Sequence, residues 1–508
     1  MTQREERKQR QRERDAKLAD DLIEGRSFYV PHEIKKKVAQ GNKKGGGAGC
    51  EGETDELAAH SIGLLRLIIP AITAKLSHIY DPRNPDLIIH TAEVLMAYGI
   101  LIFLCQISSC REANRRLSGE DAHARLLQSF PELKTIPHAD TLKRLLSKTN
   151  TEEIQNHYES ILINFLKSPA FRNMNKGRYI LVIDGSGKFS RQYNWDTHAL
   201  RRHWDESGKE TFHAYMLDSI LVLNNGITIP LLSEPVSNNP DGDGNDKQDC
   251  ELRAFHRLAE RLVNIIGRGQ ATLLLDGIYA NGPVISKCIN YGWDYMIVLK
   301  SDSLKTVWDE FYGLCKAEPS NTLSVKHGNR AQVYRWANGI EYTYGNNHQK
   351  LMLNLVTCLE KWIEPKPHSG GVPEEMSTCY AWLSSEKLNR GNVFDRCTHI
   401  GRLRWWIESN FNTEKHQGYN YSHCFSYNWN AMMGFHYLMK IAHFINALLT
   451  HNKNLAGYVH YEGISGFVKK LWETILNRGI VNGIVYPKRR GRPVASGRID
   501  FLLLCPSP

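Results

Sequence analysis

Zinc-ligand spacing is missing from this chain. Its eleven cysteines are scattered singly, the closest pair (Cys105 and Cys110) is not a CxxC, and no Cys/His group matches a zinc site. Isolated cysteines fit free thiols in a reducing cytosol rather than a disulfide framework. Long apolar runs are missing too. The longest, "VLMAYGILIFLC" over residues 94–105, is too short for a bilayer, which needs about 20 residues, and reads as a buried helix. The N-terminus, "MTQREERKQRQRERDAKL", is charged with no apolar stretch behind it, so no secretory signal is expected. There is no internal repeat and no long low-complexity segment. Two loop motifs also fail. "IDGSGKF" has Val182 where a nucleotide loop needs its first glycine and Phe189 where it needs Ser or Thr. "DGDGNDKQDCEL" has Asp246 and Leu252 where a calcium loop needs Gly and Glu.

What is present is 508 residues, 42% hydrophobic and 23% charged, with a net charge of +10. That length exceeds one ordinary core, so two to four domains are expected of a folded soluble protein. The positive charge sits at the ends. Residues 1–49 hold 13 Lys/Arg against 8 Asp/Glu, and 469–498 hold 8 Lys/Arg against Glu473 alone. Basic ends on a basic body point to a polyanionic partner, nucleic acid before membrane, although basic tails also serve solubility alone. Within the tail, "KRRGRP" contains Arg490, Gly491 and Arg492. It resembles an AT-hook, in which glycine lets the backbone approach the minor-groove floor while arginines reach along it.

Residues 1–57 read as a charged arm and 58–170 as a helical domain, a candidate DNA-binding region. In "HADTLKRLLSK", Asp140 or Thr141 is the expected cap, and Arg115 and Arg116 lie on the preceding helix. A helix-turn-helix and a plain bundle both fit this pattern. From 171 to 300 the texture is α/β: three strands able to pair in order, then helix–strand–helix–strand, which describes a mixed sheet flanked by helices. Residues 301–395 alternate as a largely β insertion, 396–455 are helical, and 456–508 form the basic tail.

Two buried strands end alike, "ILVIDG" at Asp184 and "TLLLDG" at Asp276. Each places a carboxylate just past an apolar run, where the chain is expected to turn away and where an unpaired charge is costly. One such Asp is usually a turn former or cap; a matched pair suggests cation binding. In "RLRWWIESNFNTEK", helical spacing of about 100° per residue puts Arg404, Glu408 and Lys415 on one face, with Glu414 on another. Trp405 and Trp406 are expected to pack this helix onto the sheet. Three converging carboxylates would suit hard divalent ions.

These motifs resemble the DDE transposases of bacterial insertion sequences, in particular the group with the signature Tyr-x2-Arg-x3-Glu-x6-Lys. Arg404, Glu408 and Lys415 match that spacing; Gly401 stands in place of the tyrosine, and Tyr419 and Tyr421 lie downstream out of register. "LLLDGIYA", with Tyr279, resembles the block around the family's second aspartate. "EPVSNNPDGDGNDKQDCE" resembles a segment between the two aspartates. The 92 residues from Asp184 to Asp276 and 132 from Asp276 to Glu408 agree with an insertion in the second interval.

The resemblance implies a ribonuclease H-like core and two Mg²⁺ ions, for which Mn²⁺ can substitute. Asp184 would bridge the ions, and Asp276 and Glu408 would each complete one side. Two-metal phosphoryl transfer would then cut transposon ends and join the freed 3′-hydroxyl to target DNA. Arg404 and Lys415 would hold phosphates, Lys300 and Ser301 are candidate backbone contacts, and Trp336 is either a base-stacking or a core residue. The implied partners are terminal inverted repeats and target DNA, with a homodimer at synapsis. The implied location is the cytoplasm, at the nucleoid. A retired DNA-binding descendant and a nuclease that cuts without joining remain alternatives.

Overall fold

The computed structural model describes residues 61, 65, 68, 72, 74–117, 119–130, 133, 135–168, 171, 177–203, 210–223, 227–238, 249–365, 373–452 and 455–478. The charged arm and the AT-hook-like Arg490, Gly491 and Arg492 lie outside the described residues.

The apolar run becomes α1 (Ala92–Leu104), buried on every turn and capped by Thr91, whose hydroxyl accepts from the Val94 amide at 3.4 Å. The helix starts two residues before that apolar run, at Ala92. Pro85–Leu87 forms a separate turn of 3₁₀ helix, with Leu87 and Ile89 exposed. Then follow α2 (Cys110–Leu117), α3 (Glu120–Ser129), α4 (Ala139–Leu146) and α5 (Thr151–Leu166). A whole helix, α3, therefore separates α2 with its two arginines from α4. The α4 cap is His138 rather than Asp140 or Thr141: its ring nitrogen accepts from the Asp140 amide. Asn114 ties α2 to α4 by accepting from the Ala139 amide at 2.8 Å.

The sheet is built from β1 (Tyr179–Arg191), β2 (Leu200–His203), β3 (Glu210–Val222), β4 (Thr228–Val236), β5 (Ala271–Leu275) and β6 (Asp294–Val298), with α6 (Glu251–Ile266) and α7 (Gly282–Tyr291) between the later strands. α8 (Lys305–Ala317) opens the segment expected to be β, followed by β7 (Thr322–His327), β8 (Arg330–Tyr344), β9 (Gln349–Pro365) and β10 (Pro373–Ser384). The order is β2-β3-β1-β5-β6-β10-β9-β8-β7, with β4 on β3. β1, β5 and β6 pair in parallel, and the other ladders are antiparallel. Because β10 pairs with β6, the inserted strands extend the same open mixed sheet.

After β10 the chain makes a π-helical turn at Asp395–Ile400 and a 3₁₀ turn at Gly401–Trp405. It then enters α9 (Trp406–His416), α10 (Trp429–Thr450) and α11 (Ala456–Arg478), the last kinked at Gly463 with φ 74°. Two apolar cores result. The larger joins the N-terminal helices, α6, α7 and α10 to one face of the sheet. In the smaller, Val182, Leu274, Met296 and Trp382 of the sheet meet Ile407 and Phe411 of α9. Trp336 lies in this smaller core, 3% exposed, which favours the packing reading. Among the described residues no helix is long and apolar enough to cross a membrane, and the nine described cysteines are free thiols.

Candidate active site

The parallel ladder between β1 and β5 ends at Ile183 opposite Leu275. Asp184 is the next residue of β1, and Asp276 is the first residue past β5. Alternation places both on the side of Val182 and Leu274, the side that α9 covers. Asp184 does not mark a strand end as its sequence suggests: β1 runs on to Arg191, paired with β3. Its following glycine serves close approach. A Cβ on Gly185 would clash with the hydroxyl end of Tyr215, and one on Gly277 would lie 2.8 Å from the Lys300 chain. Both Asp-Gly pairs thus let a long side chain cross the backbone beside the carboxylate.

Glu408 reaches the same place from above. Arg404 is the penultimate residue of the 3₁₀ turn, two positions before α9 begins, and still keeps its one-turn relation to Glu408. Its guanidinium donates to Glu408 Oε1 at 2.8 Å and to Asp184 Oδ2 at 3.4 Å. Lys300 Nζ lies 3.4 Å from Asp276 Oδ2. Arg404 therefore joins Glu408 to Asp184, while Lys300 pairs with Asp276 on the neighbouring chain segment. The three predicted acids are not drawn into a closed cage: among the described residues no group of three metal-type side chains can hold an ion as it stands. The three carboxylates supply the oxygen donors that hard divalent ions prefer, and the Arg404 guanidinium holds the place between two of them.

Arg404 is 8% exposed and paired with both acids, so it does not project toward solvent as a phosphate contact. Lys415 is half-buried, its ammonium 5.7 Å from the ring centres of Phe411 and Tyr421. Trp405 departs from expectation: it is 55% exposed, with the Arg404 guanidinium over its ring at 4.9 Å. Ile407 and Phe411, with Trp406 beside them, do the packing. Gly401 has a physical reason for replacing the signature tyrosine, since a Cβ there would already press on Trp382 and Met296 at 3.2–3.3 Å. Tyr419 and Tyr421 are buried and cannot take its place at a phosphate.

Burial pushes the Asp184 carboxyl up to about 6; Glu251 and Asp276 nearby push the same way, against Arg404. An acid bound more tightly to its proton in the fold than in the unfolded chain, where its pKa is about 3.9, weakens the fold once it ionises. That cost is absent below about pH 4, grows between 4 and 6, and is complete above 6, on the order of 2–3 kcal/mol. Asp184→Asn is therefore expected to raise the melting temperature in EDTA at pH 7.5, with a smaller gain at pH 5. An equal gain at both pH values would assign the effect to something other than the buried charge.

A second charged group carries no motif in the sequence. Asp218, directly across from Asp184 in the β1–β3 ladder, is fully buried. Lys440 of α10 bridges Asp218 at 3.1 Å and Glu414 of α9 at 2.8 Å, and His443 meets Glu414 at 2.8 Å. Ser233 and Tyr421 also donate to Asp218. Nearby, Lys188 donates to the Tyr421 carbonyl and to the His436 ring. Burial lowers Lys188 to about 7, and burial with two lysines keeps His436 neutral. The one available signal is His436, Lys440 and His443, three polar residues at helical spacing in an otherwise apolar run.

Residues 73–161, from just before α1 into α5, match the family model described as DDE_Tnp_1-associated. No curated protein matches the chain. The matched segment lies outside the residues that bear the three acids, so it and the site are independent observations. This segment is similar to a domain associated with DDE-type transposases.

Proposed function

We propose that this protein is a DDE transposase with a ribonuclease H-like core. In this reading it cleaves the ends of its element and joins the freed 3′-hydroxyl to target DNA. The observation that carries the reading is the meeting of Asp184, Asp276 and Glu408, from two neighbouring strands and the helix over them, beside Arg404 and Lys300. Asp184, Asp276 and Glu408 would together hold the Mg²⁺ ions. Bound divalent ions supply Lewis acidity at the attacking and leaving oxygens of a phosphodiester. Arg404 is paired with Asp184 and Glu408 and would be available to a phosphate were those carboxylates held by divalent ions. Lys300 and Lys415 hold the DNA backbone nearby, and the N-terminal helices and basic tail bind the terminal repeats. Two copies pair at synapsis, and the protein works in the cytoplasm on the nucleoid.

The test is to incubate the full chain with a duplex of the DNA flanking its gene and Mg²⁺. Joined products support the proposal. Cutting without joining identifies a nuclease, and binding alone a retired enzyme. For the tail, deletion of 487–508 is expected to weaken DNA binding and flatten its salt dependence by about 0.9 for each phosphate the tail neutralises. An unchanged slope removes the tail from the interface.

A further inference from the structure

We propose that Glu251 is a positioning residue that fixes Asp184 and Asp276 relative to each other, through two tyrosine hydroxyls on the face of the sheet opposite the site. This rests on the reading of those aspartates as metal ligands. Glu251 begins α6 and contacts neither aspartate by hydrogen bond. Its Oε2 accepts from the Tyr215 hydroxyl at 3.0 Å and its Oε1 from the Tyr279 hydroxyl at 2.6 Å. Each tyrosine lies against the chain next to one aspartate. Tyr215 pairs across from Gly187 on β3, and its ring crosses Gly185, the residue after Asp184. Tyr279 ends the 3₁₀ turn that Asp276 caps, with its amide bonded to the Asp276 carbonyl at 3.1 Å.

One carboxylate thus ties the chain beside Asp184 to the chain beside Asp276, segments that have no ladder bond to each other beyond Ile183 and Leu275. Tyr279 is fully buried against Phe255 of α6, which fixes the far side of the tie. Glu251 is half-buried, and losing either hydroxyl donor removes part of its carboxylate's pairing. The arrangement also gives Gly185 its function: any side chain there would displace the Tyr215 hydroxyl.

The test uses the full chain carrying Glu251→Ala, Glu251→Gln, or Tyr215→Phe with Tyr279→Phe, and two readouts. Binding of Mn²⁺ alone is measured from the free-ion electron paramagnetic resonance signal. Hydrogen exchange is followed in peptides covering 184–187 and 276–281. A positioning role predicts that Glu251→Ala and the double Phe variant each weaken Mn²⁺ binding about tenfold or more. Both should speed exchange in those two segments, while Glu251→Gln, which keeps an acceptor oxygen, recovers part of each. Loss of Mn²⁺ in Glu251→Ala with normal binding in the double Phe variant would make Glu251 a ligand and overturn the proposal. Wild-type affinity and exchange in both variants would overturn it as well. Should the wild-type chain bind no Mn²⁺, the metal reading falls, and the exchange data alone decide whether the tie exists.

Discussion

Replacing Asp184, Asp276 or Glu408 by alanine is expected to reduce DNA cleavage about 10³-fold or more, with affinity for the same DNA within about threefold of wild type. The size follows from the several kcal/mol that divalent ions contribute at a phosphoryl transition state, at 1.36 kcal/mol per decade of rate. The asymmetry between cleavage and binding follows from position. Each acid already faces a cation that its removal would leave with less counter-charge: Arg404 is shared by Asp184 and Glu408, and Lys300 pairs with Asp276. Freeing a cation adds to DNA attraction rather than subtracting from it. Gel-shift titration and cleavage of a labelled duplex measure the two quantities on one preparation. Parallel loss of both in all three variants would make the acids structural.

Lys440→Met is expected to destabilise the fold by about 3–5 kcal/mol, the usual consequence of removing one partner from a buried ion pair. Asp218 and Glu414 are both fully buried, and Lys440 stands between them. His443 remains for Glu414, whereas Asp218 keeps only hydroxyl donors and a neutral His436 at 3.9 Å. Because Glu414 lies on the same helix as Glu408, the clamp also sets where α9 rests on the sheet. Removing all three charges together, as Asp218→Asn, Glu414→Gln and Lys440→Met, should recover part of the loss, since no buried charge is then left unpaired. Denaturant unfolding measures both. A change below about 1 kcal/mol in Lys440→Met would show that the ion pairs are not what holds α9.

Which parts of this were legible beforehand has a physical logic. The strands at Tyr179, Thr228, Ala271 and Asp294 announced themselves as aliphatic runs, and α6 by its apolar stripe ending at Gly267, whose φ of 93° suits glycine alone. Local signals failed where a distant neighbour decides. Asp184-Gly185 looks like a turn, yet the glycine answers to Tyr215 on another strand and β1 continues through it. Trp405 looks like a packing residue, but the 3₁₀ turn before α9 rotates it into solvent. The helix α8 and the merging of the inserted strands into the core sheet depend on pairing partners far along the chain. The spacing of Arg404, Glu408 and Lys415 could be read because it spans a few turns of one element. The Glu251 tie could not, because it joins three elements.

The central claim is that three segments far apart in the chain surround one divalent-ion site. Fe²⁺ in place of Mg²⁺, with ascorbate and peroxide, generates hydroxyl radicals that cut polypeptide within reach of the bound ion. The account predicts cuts near residues 184, 276 and 408 together, suppressed by excess Mg²⁺ and absent in Asp184→Asn. Cuts confined to one of these segments, or clustered elsewhere and indifferent to Mg²⁺, would contradict it.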